Sequence, residues 1–336
     1  VSPDDAPTPE EIARAFALQR AHAAAEPRDE RSGAAIAVRL YGDYLSTLDP
    51  EAEGPKPGLL DFIENLSKQD SVTNEDRGPH RAFWSYESKL EGVDTPVPNR
   101  FLAKACGESR GLQVLEDTPA GHQLNSYFLG NEFVVDALAQ HFDFVAEELD
   151  ATHGAAWDTL SDRYALATEG LVIGFAADIT SSSVLGKTEI PALLKNADVG
   201  KEGIRFATPL PQHEHLPPDI NAFMTNPPIR CQLRMGDDDP GKSPEEFAMK
   251  LHAIDVPEDQ KEAHAAIVDR LSTANSYKEL NPTTAEAKQK ERMSAFLPGV
   301  NLAHGVTPAP RRVLTGHGVS EPAPPQITPK PSGIEH

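Results

Sequence analysis

The chain has only two cysteines, Cys106 and Cys231, in 336 residues. That scarcity excludes a disulfide-dense scaffold, and the spacing is not that of a metal-binding knuckle. The two thiols are either free and buried or paired with each other. Long hydrophobic runs are missing too, since no stretch approaches the roughly 20 apolar residues of a membrane span. Basic residues are outnumbered, 31 Lys and Arg against 52 Asp and Glu, for a formal charge of -21. Such a field repels polyanions, so a broad grip on nucleic acid is excluded. A small anion is not, because backbone N–H groups and one or two Arg or Lys side chains suffice for it. The glycine fingerprints of phosphate-binding loops and dinucleotide-binding βαβ units are also absent. Tryptophan is rare, with Trp84 and Trp157 alone.

Helices dominate what is present in the first half. Thr8-Pro9-Glu10-Glu11 is a capping box with Pro at the first helical position, which predicts a helix over 9–25. Apolar residues at helical spacing follow, at Ile36, Leu40, Tyr44, Leu45 and Leu48, and again at Leu59, Phe62, Ile63 and Leu66. Val134, Leu138, Phe142, Val145 and Leu149 mark one apolar helix face, and Gly154 precedes a second helix carrying Trp157, Leu160, Ser161 and Tyr164, ended by Gly170. The pattern then changes to short apolar runs at 171–176, 204–207 and 229–233, separated by the helix-compatible segments 190–196 and 218–225. Those alternations predict three parallel strands. Ser243-Pro244-Glu245-Glu246 opens another helix, and 257–272 is a polar one. Seven prolines from Pro308 onward predict an extended tail. The fold class is therefore α/β, a helical N-terminal part followed by a small parallel sheet flanked by helices. Its expected division is a helical region over 1–75, a core over 76–235, a helical extension over 236–305 and a Pro-rich tail over 306–336.

Two acidic segments stand out. Leu115-Glu116-Asp117-Thr118 is followed by Gly121, and Ser183-Val184-Leu185-Gly186-Lys187-Thr188-Glu189 lies downstream, with a Trp157-x-x-x-Ser161 helix between them and Phe83-Trp84-Ser85 ahead. In that order the set resembles the active-site framework of the ADP-ribosyl cyclase and NAD glycohydrolase family. The resemblance covers roughly residues 80–200. It implies an ADP-ribosyl cyclase-like fold and release of nicotinamide from NAD to give ADP-ribose, or a cyclic product if adenine captures the same cation.

The resemblance also implies roles for individual residues. Glu189 is the carboxylate that stabilises an oxocarbenium-like ribosyl cation. Glu116, with Asp117, contacts the nicotinamide end and influences the fate of the cation. Trp157 and Trp84 offer flat, electron-rich faces to a cationic pyridinium. Ser85, Ser161 and Ser183 are candidate hydrogen-bonding groups for ribose or phosphate, and Gly186 lets backbone approach a phosphate. Val184 and Leu185 replace the Thr and aromatic that the family carries there. Plainer readings exist for each: Thr188 as an N-cap with Glu189 favouring a helix dipole, Glu116-Asp117 as a solvated turn before Pro119, and either Trp as core.

NAD is thus expected as substrate, with no other cofactor and no metal. His213-Glu214-His215 sits among prolines, and Asp237-Asp238-Asp239 lacks the alternation and terminal Glu of a calcium loop. With few cysteines, the chain is most similar to bacterial toxin-type members that deplete NAD. That similarity implies a secreted effector acting in the cytoplasm of a target cell, a delivery apparatus and a cognate immunity protein. Val1 in place of Met leaves room for a removed leader. The rival readings are an ADP-ribosyltransferase toxin, which breaks the same bond, and a non-catalytic secretion-associated interaction protein.

Overall fold

The computed structural model of the chain describes residues 5–281, apart from 143–144, 181, 200–202, 211–212, 214 and 234–240. Its first helix, α1 (Pro9–Ala25), begins where the capping box places it. Thr8 Oγ1 accepts the Glu11 N–H at 3.2 Å, and the Glu11 carboxylate accepts the Thr8 N–H at 2.8 Å. Helices α2 (Glu30–Thr47) and α3 (Leu59–Gln69) follow, then strand β1 (Arg81–Ser85), the short antiparallel pair β2 (Glu87–Ser88) and β3 (Val97–Pro98), and α4 (Asn99–Arg110). After a 3₁₀ turn at Leu115–Asp117 come α5 (Pro119–Ser126), α6 (Glu132–His141), α7 (Ala146–Leu166), β4 (Val172–Ala176), α8 (Ile190–Lys195) and β5 (Ile204–Phe206). Five further helices complete the described chain: α9 (Pro218–Met224), α10 (Pro227–Leu233), α11 (Pro244–His252), α12 (Lys261–Thr273) and α13 (Tyr277–Leu280).

The sheet is parallel, in the order β1-β4-β5, with Arg81 opposite Val172 and Val172 opposite Ile204. Two of its strands are those expected at 171–176 and 204–207. The expected strand at 229–233 is instead α10. Ile229 and Leu233 lie four apart, a helical as well as an alternating spacing, and Pro227-Pro228 pre-sets the helical φ at its start. Both residues are buried in a second apolar cluster that runs from Leu216 to Leu280.

The third strand is β1, where only Ala82, Phe83 and Trp84 are apolar and a buried Arg81 opens the strand. That Arg is 2% exposed, donates to Thr73 Oγ1 at 3.0 Å and to the Tyr164 carbonyl, and lies 4.4 Å over the Tyr164 ring. Alternation does the rest: Phe83 packs with Leu66 and Tyr164 on one face, while Ala82 and Trp84 pack with Leu102 and Cys106 on the other. The sheet therefore lies between α1 with α4 and a layer containing α3, α5 and α7.

The single apolar face expected over 134–149 is divided between two helices. The Phe142 N–H closes α6 on the Leu138 carbonyl at 2.9 Å, and the Glu148 carboxylate accepts the Val145 N–H to start α7. Gly154 lies within α7, not ahead of it, and the helix ends at Leu166 before Gly170. The first 75 residues share one core with the sheet, Leu40, Ile63 and Leu66 joining Phe83 and Tyr164. The described residues fall in one compact unit, Val1–Pro282. The Pro-rich tail, residues 237–239, Glu214 and the Cys231 side chain lie outside the described residues. No described helix is long and apolar enough to cross a membrane.

Candidate active site

A cleft of about 700 Å³ opens beside the carboxyl end of β1, within the roughly 300–1,000 Å³ of small-molecule sites and at the strand end where open parallel sheets bind ligands. Seven of the nine residues singled out from sequence line it: Trp84, Ser85, Glu116, Trp157, Ser161, Ser183 and Glu189. They arrive from β1, the 3₁₀ turn, α7 and the turn before α8. Asp117 and Gly186 do not line it. Asp117 is held by Lys104 in a 2.7 Å ion pair, and Gly186 is used inside its own turn.

The two acidic segments are built on the same local brace. Thr118 Oγ1 donates to the Leu115 carbonyl at 2.6 Å and accepts the Gly121 N–H at 3.2 Å. Ser183 Oγ donates to the Thr180 carbonyl at 2.9 Å and accepts the Gly186 N–H at 3.0 Å. In both, the glycine lets the carbonyl three residues before the hydroxyl approach closely. A Cβ would stand 2.0 Å from the Leu115 oxygen at Gly121 and 1.8 Å from the Thr180 oxygen at Gly186. The first brace fixes the turn bearing Glu116, and the second fixes the π-helical turn Leu185–Glu189 that ends on Glu189. Helix α8 continues directly from that turn, so Thr188 is not an N-cap.

Both carboxyl groups are buried. Trp84 Nε1 donates to Glu116 Oε1 at 2.9 Å, and Glu116 Oε2 has no partner. Burial pushes the Glu116 carboxyl above the ordinary carboxylate range, against the opposing charge of Arg100 and the Trp84 hydrogen bond. Burial also pushes Glu189 up, to about 8, aided by the neighbouring charge of Glu116 and opposed by a hydrogen bond from Ser161. Two carboxyls raised in one cleft are a feature of sites that manage charge, and neither is a solvated turn residue.

Other residues in the cleft carried no distinctive sequence signal. Trp157 Nε1 donates to His153 Nε2 at 2.8 Å, so His153 accepts and is neutral there, and burial lowers its pKa. A His and a Trp four apart in a long helix are an unremarkable pair until the helix is seen to present them to a cavity. Tyr86 and Phe128 are the non-glycine residues with positive φ among the described residues, at 51° and 50°, and both line the cleft. Bulky side chains held in that region cost about 1–3 kcal/mol each, and such outliers gather at functional sites. The His213 and His215 rings lie 5.6 Å apart, and among the described residues no group of three His, Cys, Asp or Glu could hold a metal. Cys106 is buried as a free thiol, its pKa raised to about 12 mainly by burial, which leaves it unreactive. No family model, curated protein sequence or solved structure matches the chain.

Proposed function

We propose that the chain is an NAD glycohydrolase that releases nicotinamide from NAD, with cyclisation as the alternative fate of the same cation. The observation that carries this reading is the convergence of Glu116, Glu189, Trp84 and Trp157 on one cleft. Breaking the nicotinamide–ribose bond sends its electron pair to the ring nitrogen and leaves the sugar as an oxocarbenium-like cation. Water then adds, a proton leaves, and ADP-ribose is formed. A buried carboxylate beside the anomeric carbon stabilises the cation far better than it would in water.

Glu189 suits that work once substrate is bound. Its pKa of about 8 keeps it mostly protonated at neutral pH. The cationic pyridinium of NAD favours the carboxylate, so the ligand itself ionises the group that its reaction needs. Indole faces attract the same cation. Glu116 is held by Trp84, and in this reading it accepts from the carboxamide. By the same resemblance the chain would serve as a secreted, NAD-depleting effector with a cognate immunity protein.

The test is a chromatographic time course of NAD, nicotinamide, ADP-ribose and cyclic product with the purified full chain. Wild type should release nicotinamide, Glu189→Gln should lose roughly a hundredfold or more, and Glu116→Gln should cleave while shifting the product ratio. Transfer of label from NAD to a protein would instead indicate a transferase. Near-normal release by Glu189→Gln would overturn the mechanism.

A further inference from the structure

The cleft is acidic in an acidic chain, with one exception. Among the described residues that line it, Arg100 is the sole Arg or Lys. It lies in the first turn of α4, where a cation opposes the helix dipole, so it is not kept there to stabilise the helix. The nearest cations on the same helix are paired with carboxylates, Lys104 with Asp117 and Arg110 with Glu11. Arg100 joins no ion pair among the described residues. Its guanidinium donates to Asn125 Oδ1 and lies 5.5 Å from the centre of the Phe101 ring, contacts that orient it without neutralising it. A side pocket of about 190 Å³ opens beside it, sharing Arg100, His22, Glu116 and Asn125 with the cleft and adding Lys104.

The other plausible anion holders are already engaged. The Gly186 N–H is taken by Ser183 Oγ, whose own hydrogen goes to the Thr180 carbonyl. Val184 and Leu185 present apolar walls. Lys104 is neutralised by Asp117. The geometry points to Arg100, oriented by Asn125, as the phosphate-binding residue of the cleft, the group that holds the anionic part of the ligand. A guanidinium fork matches two phosphate oxygens at once, which a Lys ammonium does not. Two carboxyls border this place. Glu116, held protonated by burial more readily than a surface Glu, repels a phosphate less than an ionised group would, and Glu26 is exposed. His22, whose pKa is lowered by burial and then by Arg100, regains its proton more easily when an anion sits beside both.

This inference deepens the NAD reading and rests on it for the identity of the ligand, which offers phosphate from two sources, the pyrophosphate bridge or a 2′-phosphate in NADP. Binding is measured by calorimetry on the full chain with ADP, adenosine and inorganic pyrophosphate, none of which requires turnover. Wild type should prefer ADP to adenosine, and added salt should weaken ADP alone. Arg100→Gln, which retains a donor for Asn125, should lose ADP affinity by roughly ten- to a hundredfold and leave adenosine unchanged. Arg100→Lys should fall between them. KM values for NAD and NADP separate the sources: a rise for both in Arg100→Gln assigns the bridge, and a rise for NADP alone assigns the 2′-phosphate. Equal wild-type affinity for ADP and adenosine, binding of neither ADP nor pyrophosphate, or an ADP preference that survives in Arg100→Gln would overturn the assignment. Should Arg100→Gln fail to fold, salt-insensitive ADP binding by wild type would do so. Arg100-dependent ADP binding without NAD cleavage would remove the glycohydrolase reading and leave the phosphate site standing.

Discussion

Trp84, on the first strand of the parallel sheet, gives its indole N–H to Glu116 Oε1 at 2.9 Å, the one hydrogen bond that reaches a carboxyl group otherwise buried without a partner. Two residues that sequence places 32 positions apart thus form a single unit. Trp84→Phe keeps most of the ring and removes the donor. Thermal unfolding at neutral pH should show a loss of about 1–3 kcal/mol, the cost of leaving a buried polar group unmade. Glu116→Ala combined with Trp84→Phe should lose less than the sum of the two single changes. Strict additivity would mean that the hydrogen bond contributes nothing.

Glu189 makes stability fall with rising pH. Its pKa is about 8 folded and 4.5 as a free side chain. Between those values the folded chain binds the proton and the unfolded chain has released it, so the contribution is full below about 4.5 and lost as pH rises through 8. The span corresponds to on the order of 5 kcal/mol. Denaturant titrations from pH 5 to 9 should show the decline in wild type, and Glu189→Gln should flatten it. A parallel decline in the variant would assign the effect to another group.

His153 titrates in the opposite sense. Burial lowers its pKa from 6.5, so the folded chain resists the proton that the unfolded chain takes up. Stability therefore rises with pH toward 6.5 and is lost as pH falls below it. Protonation also removes the acceptor for Trp157 Nε1. Tryptophan emission should change across that acid window in wild type and not in His153→Gln, which retains an acceptor. An identical pH profile in the variant would count against His153 as the residue positioning Trp157.

The two glycine braces give a sharp contrast within one residue type. Gly121→Ala and Gly186→Ala place a methyl 2.0 Å and 1.8 Å from a carbonyl oxygen, so each should destabilise by at least about 1–3 kcal/mol. Gly154→Ala in α7 meets nothing within 4 Å and should stabilise by about 0.5–1 kcal/mol. Melting temperatures of the three variants decide the matter. A neutral Gly186→Ala would show that the turn before Glu189 is loosely held.

Tyr86 is 60% exposed, with φ at 51° and its ring at the cleft. Tyr86→Gly relieves the backbone and forfeits little packing, so stability should rise by about 1 kcal/mol. Under the NAD reading the apparent KM should rise with it, because a wall of the cleft is lost. Lower stability in the variant would show that the ring makes contacts worth more than the strain.

Three helix starts were legible because their instructions lie within three or four residues: the Thr8 box, the Ser243 cap of α11 and the Pro-marked opening of α9 stand where their residues place them. Strands β4 and β5 were legible from their apolar runs. The misreading of 229–233 has a definite cause, since Ile229 and Leu233 satisfy both periods and only the cluster around Leu216 and Leu251 selects the helical one. Strand β1 was hidden because it has only Ala82, Phe83 and Trp84 as apolar residues and opens on Arg81, whose burial against Thr73 and Tyr164 only the folded chain shows.

By itself, the sequence determined the caps, the paired hydroxyl–glycine braces and the chemical types that the cleft contains, because each depends on neighbours a few bonds away. Tertiary structure decided what those types are able to do. Strand β1 had to join the sheet before Trp84 met Glu116, α7 had to pack on the Phe83 face before Trp157, Ser161 and His153 faced the same space, and Arg100 of α4 had to meet Asn125 of α5 before it stood as the sole Arg or Lys among the described residues of the cleft. Desolvation and Coulomb interaction depend on every group within several ångströms, whatever its position in the chain, and the charge state of Glu189 is therefore a property of the folded cleft that its own segment does not encode.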